Sequence, residues 1–245
     1  MQRTTLTLLA AMFFAAGPAF AADKSSLSDA QKAEIKSMVR AYLIENPEVI
    51  SEALTALETK GEKTKLDKRN AAIASNKAAL FTPAEGTVIG NPKGDVTVVE
   101  FFDYNCGYCK QMFAAVVDLL KEDPKMRLVL KEYPILGPSS VTASKAALAA
   151  RKQGKYSDVH LALLAHKGSL SDAVVMEIAE KTGVDMKKLK ADMDDPAITD
   201  ILVKNHNLAD ALSIDGTPSL IIGDAFVPGA IPKAQLVELI AKARK

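Results

Sequence analysis

Two cysteines three positions apart, Cys106 and Cys109, are the whole cysteine complement of this 245-residue chain. Thiols so spaced either hold a soft metal or cycle between dithiol and disulfide. Cys106-Gly107-Tyr108-Cys109 follows the apolar run Val98 to Phe102 and opens a helical pattern. A cysteine at a helix N-terminus meets unpaired backbone N–H groups and the positive end of the dipole, which favour thiolate. Cys106 is therefore expected to be the exposed, attacking sulfur. Cys109 falls in register with Met112, Phe113 and Val116, so it is expected to face inward and resolve the mixed disulfide. A zinc site needs four ligands, and His160, His166 and His206 all lie in a separate helical block, where they read as surface or packing residues. Copper(I) on two thiolates is the competing metal reading.

Two further features stand near this pair. Glu100 interrupts Val98, Val99, Phe101 and Phe102, an odd place for a carboxylate unless it is buried for a purpose. A solvated edge glutamate is the plain alternative. The expected role is an acid beneath the cysteines, raised in pKa by desolvation and able to move a proton as the disulfide forms. Thr217-Pro218 precedes the apolar run Ser219 to Ile222. Proline cannot donate to a ladder, so it starts a strand or sits in a loop. Beside a dithiol it suggests a cis-proline loop that pairs with an extended client. Gly107 and Tyr108, with Thr217 and Pro218, are the expected client-contact residues.

These residues need a scaffold. Thr87 to Ile89, Val96 to Phe102 and Arg127 to Tyr133 read as strands. Ser219 to Ile222 and Ala225 to Val227 flank Gly223-Asp224, a hairpin signal. Cys106 to about Glu122 reads as a helix, residues 139 to about 213 as several short helices, and Pro232 opens a last one. Gly154, Gly168 and Gly183 mark helix ends, and Ser171 and Asp195 mark starts. The order predicts an α/β fold carrying an all-helical insertion. Upstream, residues 22–60 place Ile35, Val39 and Tyr42, then Ile50, Leu54 and Leu57, on one helical face broken at Asn46-Pro47. Residues 61–85 carry only a thin apolar line, Leu66, Ile73 and Leu80, and read as a linker helix loosely held.

Charge and leader bound the class. Lys plus Arg is 31 and Asp plus Glu is 30, which leaves no global field to draw nucleic acid. Arg3, the apolar Leu6 to Ala16, and Ala19-Phe20-Ala21 read as a signal peptide cut after Ala21. Its apolar core is short of the roughly 20 residues that span a bilayer. An exported domain of this length buries its own core, and a bridge closing so short a loop removes little chain entropy, so a reactive pair is a better reading than a staple.

Val99-Glu100-Phe101-Phe102-Asp103-Tyr104-Asn105-Cys106-Gly107-Tyr108-Cys109, the helical insertion and Gly216-Thr217-Pro218-Ser219 together resemble the DsbA family of thioredoxin-like proteins. The resemblance covers residues 86–245 and implies a thioredoxin-like fold, Cys106 as nucleophile, a cis Pro218 and Glu100 under the site. The familiar oxidase form has Pro-His between its cysteines, where this chain has Gly-Tyr. The segment Tyr42 to Ile50 is similar to the oligomerisation segment of the copper-sensitivity suppressor ScsC and Com1-like groups. That likeness implies a periplasmic homotrimer or homodimer acting as a disulfide isomerase or reductase on exported clients with cysteines. It would use no cofactor beyond the Cys106–Cys109 disulfide and be recharged by a membrane reductase of DsbD or ScsB type. The alternatives are a dithiol oxidase served by a DsbB-like partner, and a copper(I)-binding chaperone.

Overall fold

A computed structural model describes residues 27–245; the expected leader, residues 1–21, lies outside the described residues. The chain divides into two units, one ending at Lys60 and one running from Gly61 to Lys245.

In the first unit, Ser28 caps helix α1 (Asp29–Glu45) in a reciprocal capping box with Gln31, satisfying two of the N–H groups that a helix start leaves open. The helix stops where Pro47 disfavours helical geometry at Asn46, whose amide and side chain both donate to Tyr42 O. Helix α2 (Glu48–Ser75) follows. No residue of α1 is buried. Ile35, Val39, Leu43 and Ile44 line a groove of about 450 Å³ that Ile50 closes from α2, and Met38, Tyr42, Leu54 and Leu57 are more than half exposed.

The second unit contains the end of α2, helix α3 (Lys77–Phe81) and strands β1 (Val88–Gly90) and β2 (Val96–Phe102). Helix α4 (Gly107–Glu122) and strand β3 (Met126–Glu132) come next. Helices α5 (Pro138–Ala150), α6 (Tyr156–Ala165), α7 (Asp172–Lys181), α8 (Met186–Met193) and α9 (Pro196–Ala211) form the expected insertion. The hairpin β4 (Ser219–Ile222) and β5 (Ala225–Pro228) and helix α10 (Lys233–Ala243) complete the chain. Among the described residues no helix is long and apolar enough to cross a membrane. The sheet order is β1-β3-β2-β4-β5, with β2 and β3 parallel and the other pairs antiparallel. This is the expected thioredoxin-like architecture with its helical insertion.

Strand periodicity decides what the site contains. Side chains alternate between faces, so Val96, Val98 and Phe102 of β2 and Met126, Leu128 and Leu130 of β3 share one core with α4, α5, α6 and α10. Glu100 and Glu132 stand in that same alternation, on the side facing the cysteine helix. Val99, Phe101, Val129 and Tyr133 point the other way, against Ile73, Leu80, Leu208 and Leu212.

That second core corrects one expectation. The segment read as a loose linker is loose only at its start: Leu66 is 52% exposed, while Ile73 and Leu80 are 2% and 0% exposed. Arg69 lies 3.9 Å from the Phe226 ring centroid and donates to Leu212 O. Buried Lys131 donates to the carbonyls of Ala79 and Thr82 at 2.8 and 3.0 Å. The thin apolar line suffices because the sheet face supplies the partner, and polar stems cover its flanks.

Candidate active site

Helix α4 begins where the sequence places the dithiol, with Cys106 as its N-cap. The backbone N–H of Cys109 donates to Cys106 Sγ at 3.4 Å, and Cys106 Sγ lies 3.1 Å from Thr217 O. Both thiols are free. Cys106 was expected to be exposed; its residue keeps only 5% of its surface, against 1% for Cys109. The Thr217 carbonyl covers it. The Thr217–Pro218 bond is cis, and Gly229 N–H holds the loop through Pro218 O at 2.8 Å. Gly107 has open space where a Cβ would stand, and Tyr108 is 66% exposed.

The pair is electrostatically uneven. The Cys109 thiol hydrogen bond is the chief cause that lowers the Cys106 pKa to about 5, with Thr217 and the amides of Cys109 and Tyr108 assisting against desolvation. For Cys109 the same hydrogen bond runs the other way, and with burial and the nearby Glu100 it pushes this thiol far up. At neutral pH Cys106 is thus a thiolate and Cys109 a thiol.

Glu100 is 4% exposed and centred on the sheet, paired with Leu130 on one side and Leu220 on the other. Burial first, and the Cys106 charge second, raise it to about 8. Glu100, His160, Phe113 and Val116 are among the residues that line a small pocket of about 10 Å³.

Asp103, fully buried, ties the segment before Cys106 to its surroundings. Oδ1 accepts from Asn105 N–H and the Ser140 hydroxyl, both at 2.7 Å, and Oδ2 from the amides of Ile135 and Leu136, both at 2.9 Å. Asn105 extends the clasp to Ser139, Ser140 and the Leu170 amide.

A second polar cluster lies deeper, and its members carry no motif. Glu132 Oε1 accepts from the hydroxyls of Tyr104 and Tyr156, both at 2.9 Å, and Oε2 from Ser144 at 2.7 Å. Its main-chain carbonyl accepts from Asn205 at 3.1 Å. The Tyr104 hydroxyl also meets His160 Nδ1 at 3.0 Å. Desolvation raises Glu132 to about 8 despite three hydroxyl donors, and burial alone lowers His160 to about 3, so His160 is neutral. Of the three histidines, the sequence reading as surface or packing residues thus hides one with a definite interior partner. His206 sits on the surface with Asp210 at 3.7 Å.

Among the described residues no three His, Cys, Asp or Glu side chains are grouped to hold a metal. A cavity of about 540 Å³ lies between α3 and α9 with Lys131, Lys204 and Asn205 in its wall and includes none of the cysteine-site residues.

Known proteins place this geometry. A thioredoxin-like oxidoreductase from Silicibacter pomeroyi is 45% identical, with a TM-score of 0.66 over 69% of this chain and 98% of its own. Proteus mirabilis ScsC in a transitional conformation is 31% identical, with a TM-score of 0.66 over 91% of this chain and 99% of its own. A Na(+)/H(+) antiporter NhaA 3 from Salinispora tropica is 32% identical over 57% of this chain. The chain spans only 22% of that curated relative's length. Residues 31–63 match the Copper resistance protein ScsC N-terminal domain. Residues 97–241, more than half of the chain, match the DSBA-like thioredoxin domain, and with the cysteine helix, the cis-proline loop and the helical insertion in one fold, the chain belongs to that DSBA-like thioredoxin family.

Proposed function

We propose that the protein is a thiol–disulfide oxidoreductase of the periplasm that reduces and rearranges disulfides in exported clients, with Cys106 as nucleophile and Cys109 as resolving thiol. The observation that carries this reading is the asymmetry of the pair: a thiolate at a helix N-cap over a buried thiol and a buried acid. Cys106 Sγ attacks one sulfur of a client disulfide, a Cys106–client bond forms, and the other client sulfur leaves as thiolate. The client then rearranges, or Cys109 resolves it. In the second case Cys109 gives its proton to the Glu100 carboxylate and attacks Cys106 Sγ, and the client leaves with two electrons. Loss of the Cys106 charge in the mixed disulfide removes the smaller of the two causes of the raised Glu100 pKa, which eases its ionisation. Gly107, Tyr108, Thr217 and Pro218 form the client surface.

Residues 22–60 serve as an oligomerisation stem, giving a homotrimer or homodimer. The apolar face of α1 and the start of α2 supports this, since short helices do not hold such a face in water alone. Several reduced sites on one assembly raise the local thiol concentration at a bound client. A membrane dithiol reductase of DsbD or ScsB type would return the electrons.

The test is refolding of scrambled ribonuclease beside insulin reduction. The mature protein should do both, Cys106→Ser neither, and a form lacking residues 22–60 only the second. Fast oxidation of reduced clients with no isomerisation would favour the oxidase reading, which draws on the same thiolate. A copper(I)-binding role, suggested by the name of the family matched at residues 31–63, predicts stoichiometric copper binding that Cys106→Ser abolishes, with no turnover.

A further inference from the structure

We propose that the cavity between α3 and α9 is a binding site for a small organic carboxylate with an apolar body, held between Lys131 and Lys204. The site lies on the sheet face turned away from the cysteine helix and is independent of the thiol reading.

Size and lining point to a ligand of that kind. The volume of about 540 Å³ falls within the range of about 300–1,000 Å³ usual for small-molecule sites and is far more than an inorganic anion fills. Ala79, Pro83, Ala84, Ile201 and Leu208 give the cavity an apolar lining. Its charged members, Lys131 and Lys204, are both cations, and no Asp or Glu stands in the wall.

The positive charge there has no counter-ion. Lys131 and Arg127 alternate along β3 with Leu128 and Leu130, so both belong to the face away from α4. Lys131 is 5% exposed. Its ammonium donates to Ala79 O at 2.8 Å and Thr82 O at 3.0 Å, and Arg127 Nη1 donates to Phe81 O at 3.1 Å. These carbonyls at the end of α3 are dipoles, not opposite charges. The ion pairs among the described residues include none of Lys131, Arg127 and Lys204. Desolvation first, and the Arg127 charge second, lower Lys131 to about 8. A buried cation so placed is costly until an opposite charge joins it.

The cavity is where that charge can come from. Two donations leave the Lys131 ammonium one N–H for a further acceptor, and Ala79 and Thr82, which hold it, both border the cavity. Lys204 is exposed on the α9 wall, where it adds a second attraction at the mouth. A carboxylate bound between them neutralises the buried ammonium, and the apolar lining takes the rest of the molecule out of water.

The test is calorimetric titration of the intact protein with octanoate, 1-octanol and acetate at neutral pH. Octanoate should saturate one site per chain. Octanol, which lacks the charge, should bind about tenfold more weakly, and acetate, which lacks the apolar body, more weakly still. Added salt should weaken octanoate and leave octanol unchanged. Lys204→Glu turns an attraction into a repulsion at an exposed position and should weaken octanoate by about tenfold while the thermal midpoint without ligand stays put. Lys131→Met should weaken it at least as much; where loss of the buried ammonium unfolds the chain, Lys204→Glu carries the test. The chain has no tryptophan, so Asn207→Trp in the cavity wall gives a lone reporter whose emission should move to the blue over the same octanoate range. Alkylating Cys106 should change none of this. Octanol binding as tightly as octanoate, octanoate affinity unchanged in Lys204→Glu, or binding lost on alkylation of Cys106 each overturns the proposal.

Discussion

Two buried carboxyls stand on neighbouring strands, on the same face of the sheet, and their surroundings are opposite. Glu132 has three hydroxyl donors. Glu100 has a cavity and a thiolate for company. Burial raises both to about 8, yet one region is saturated with hydrogen bonds and the other is left open. The difference teaches how a single shift can serve two ends. A carboxyl with its donors satisfied holds the fold together, whereas one without them costs stability and is kept for chemistry.

The largest effect should come from emptying the saturated region. Glu132→Ala strips Tyr156 and Ser144 of their acceptor and leaves Tyr104 with His160 Nδ1 alone, and each stranded buried hydroxyl costs about 1–3 kcal/mol. Urea unfolding should show a loss of about 3–5 kcal/mol; a loss under about 1 kcal/mol would mean that the cluster is no structural anchor.

Stability should also depend on pH with a definite sign. A carboxyl whose folded pKa rises from about 4.5 to about 8 binds its proton more tightly when folded. Its contribution is whole below about pH 4.5 and is lost as pH climbs through about 8. Each carboxyl should cost up to about 4 kcal/mol across that window. Cys106, lowered to about 5, acts the opposite way between about pH 5 and 9, so the measurement belongs on alkylated protein. Stability rising with pH there would refute the assignment.

Glu100→Gln sharpens the contrast, because it removes the group from the open region without stranding a partner. It should remove about half of the pH dependence and stabilise the alkylated protein above about pH 8 by about 1–2 kcal/mol, while closure by Cys109 slows about a hundredfold. Tyr108→Ala is the smallest case. Stability should stay within about 0.5 kcal/mol, and kcat/KM for an apolar peptide disulfide should fall by about threefold.

The fold was largely legible because its signals are local. Ser171 and Asp195 cap helices at the positions their types announced, and Gly223-Asp224 turns the hairpin. Glu100 stood out because its neighbours in β2 are apolar. Glu132 did not, since a charged residue beside Pro134 reads as a strand end. Tyr156 and His160 share a face of α6, but nothing in that helix says the face is interior; the acceptor lies in β3, 24 residues from Tyr156. Ile73 and Leu80 were underrated for the same reason, as the surface covering them comes from β2, β3 and α9.

The four donors on Asp103 carry a consequence for engineering. They belong to Asn105, Ile135, Leu136 and Ser140, and none belongs to the dipeptide between the cysteines. A side chain at Gly107 meets open space, and Tyr108 points outward. The dipeptide is thus a replaceable insert on a fixed mount. A library randomised at these two positions should give folded proteins throughout, a constant frame on which inter-cysteine chemistry alone is varied.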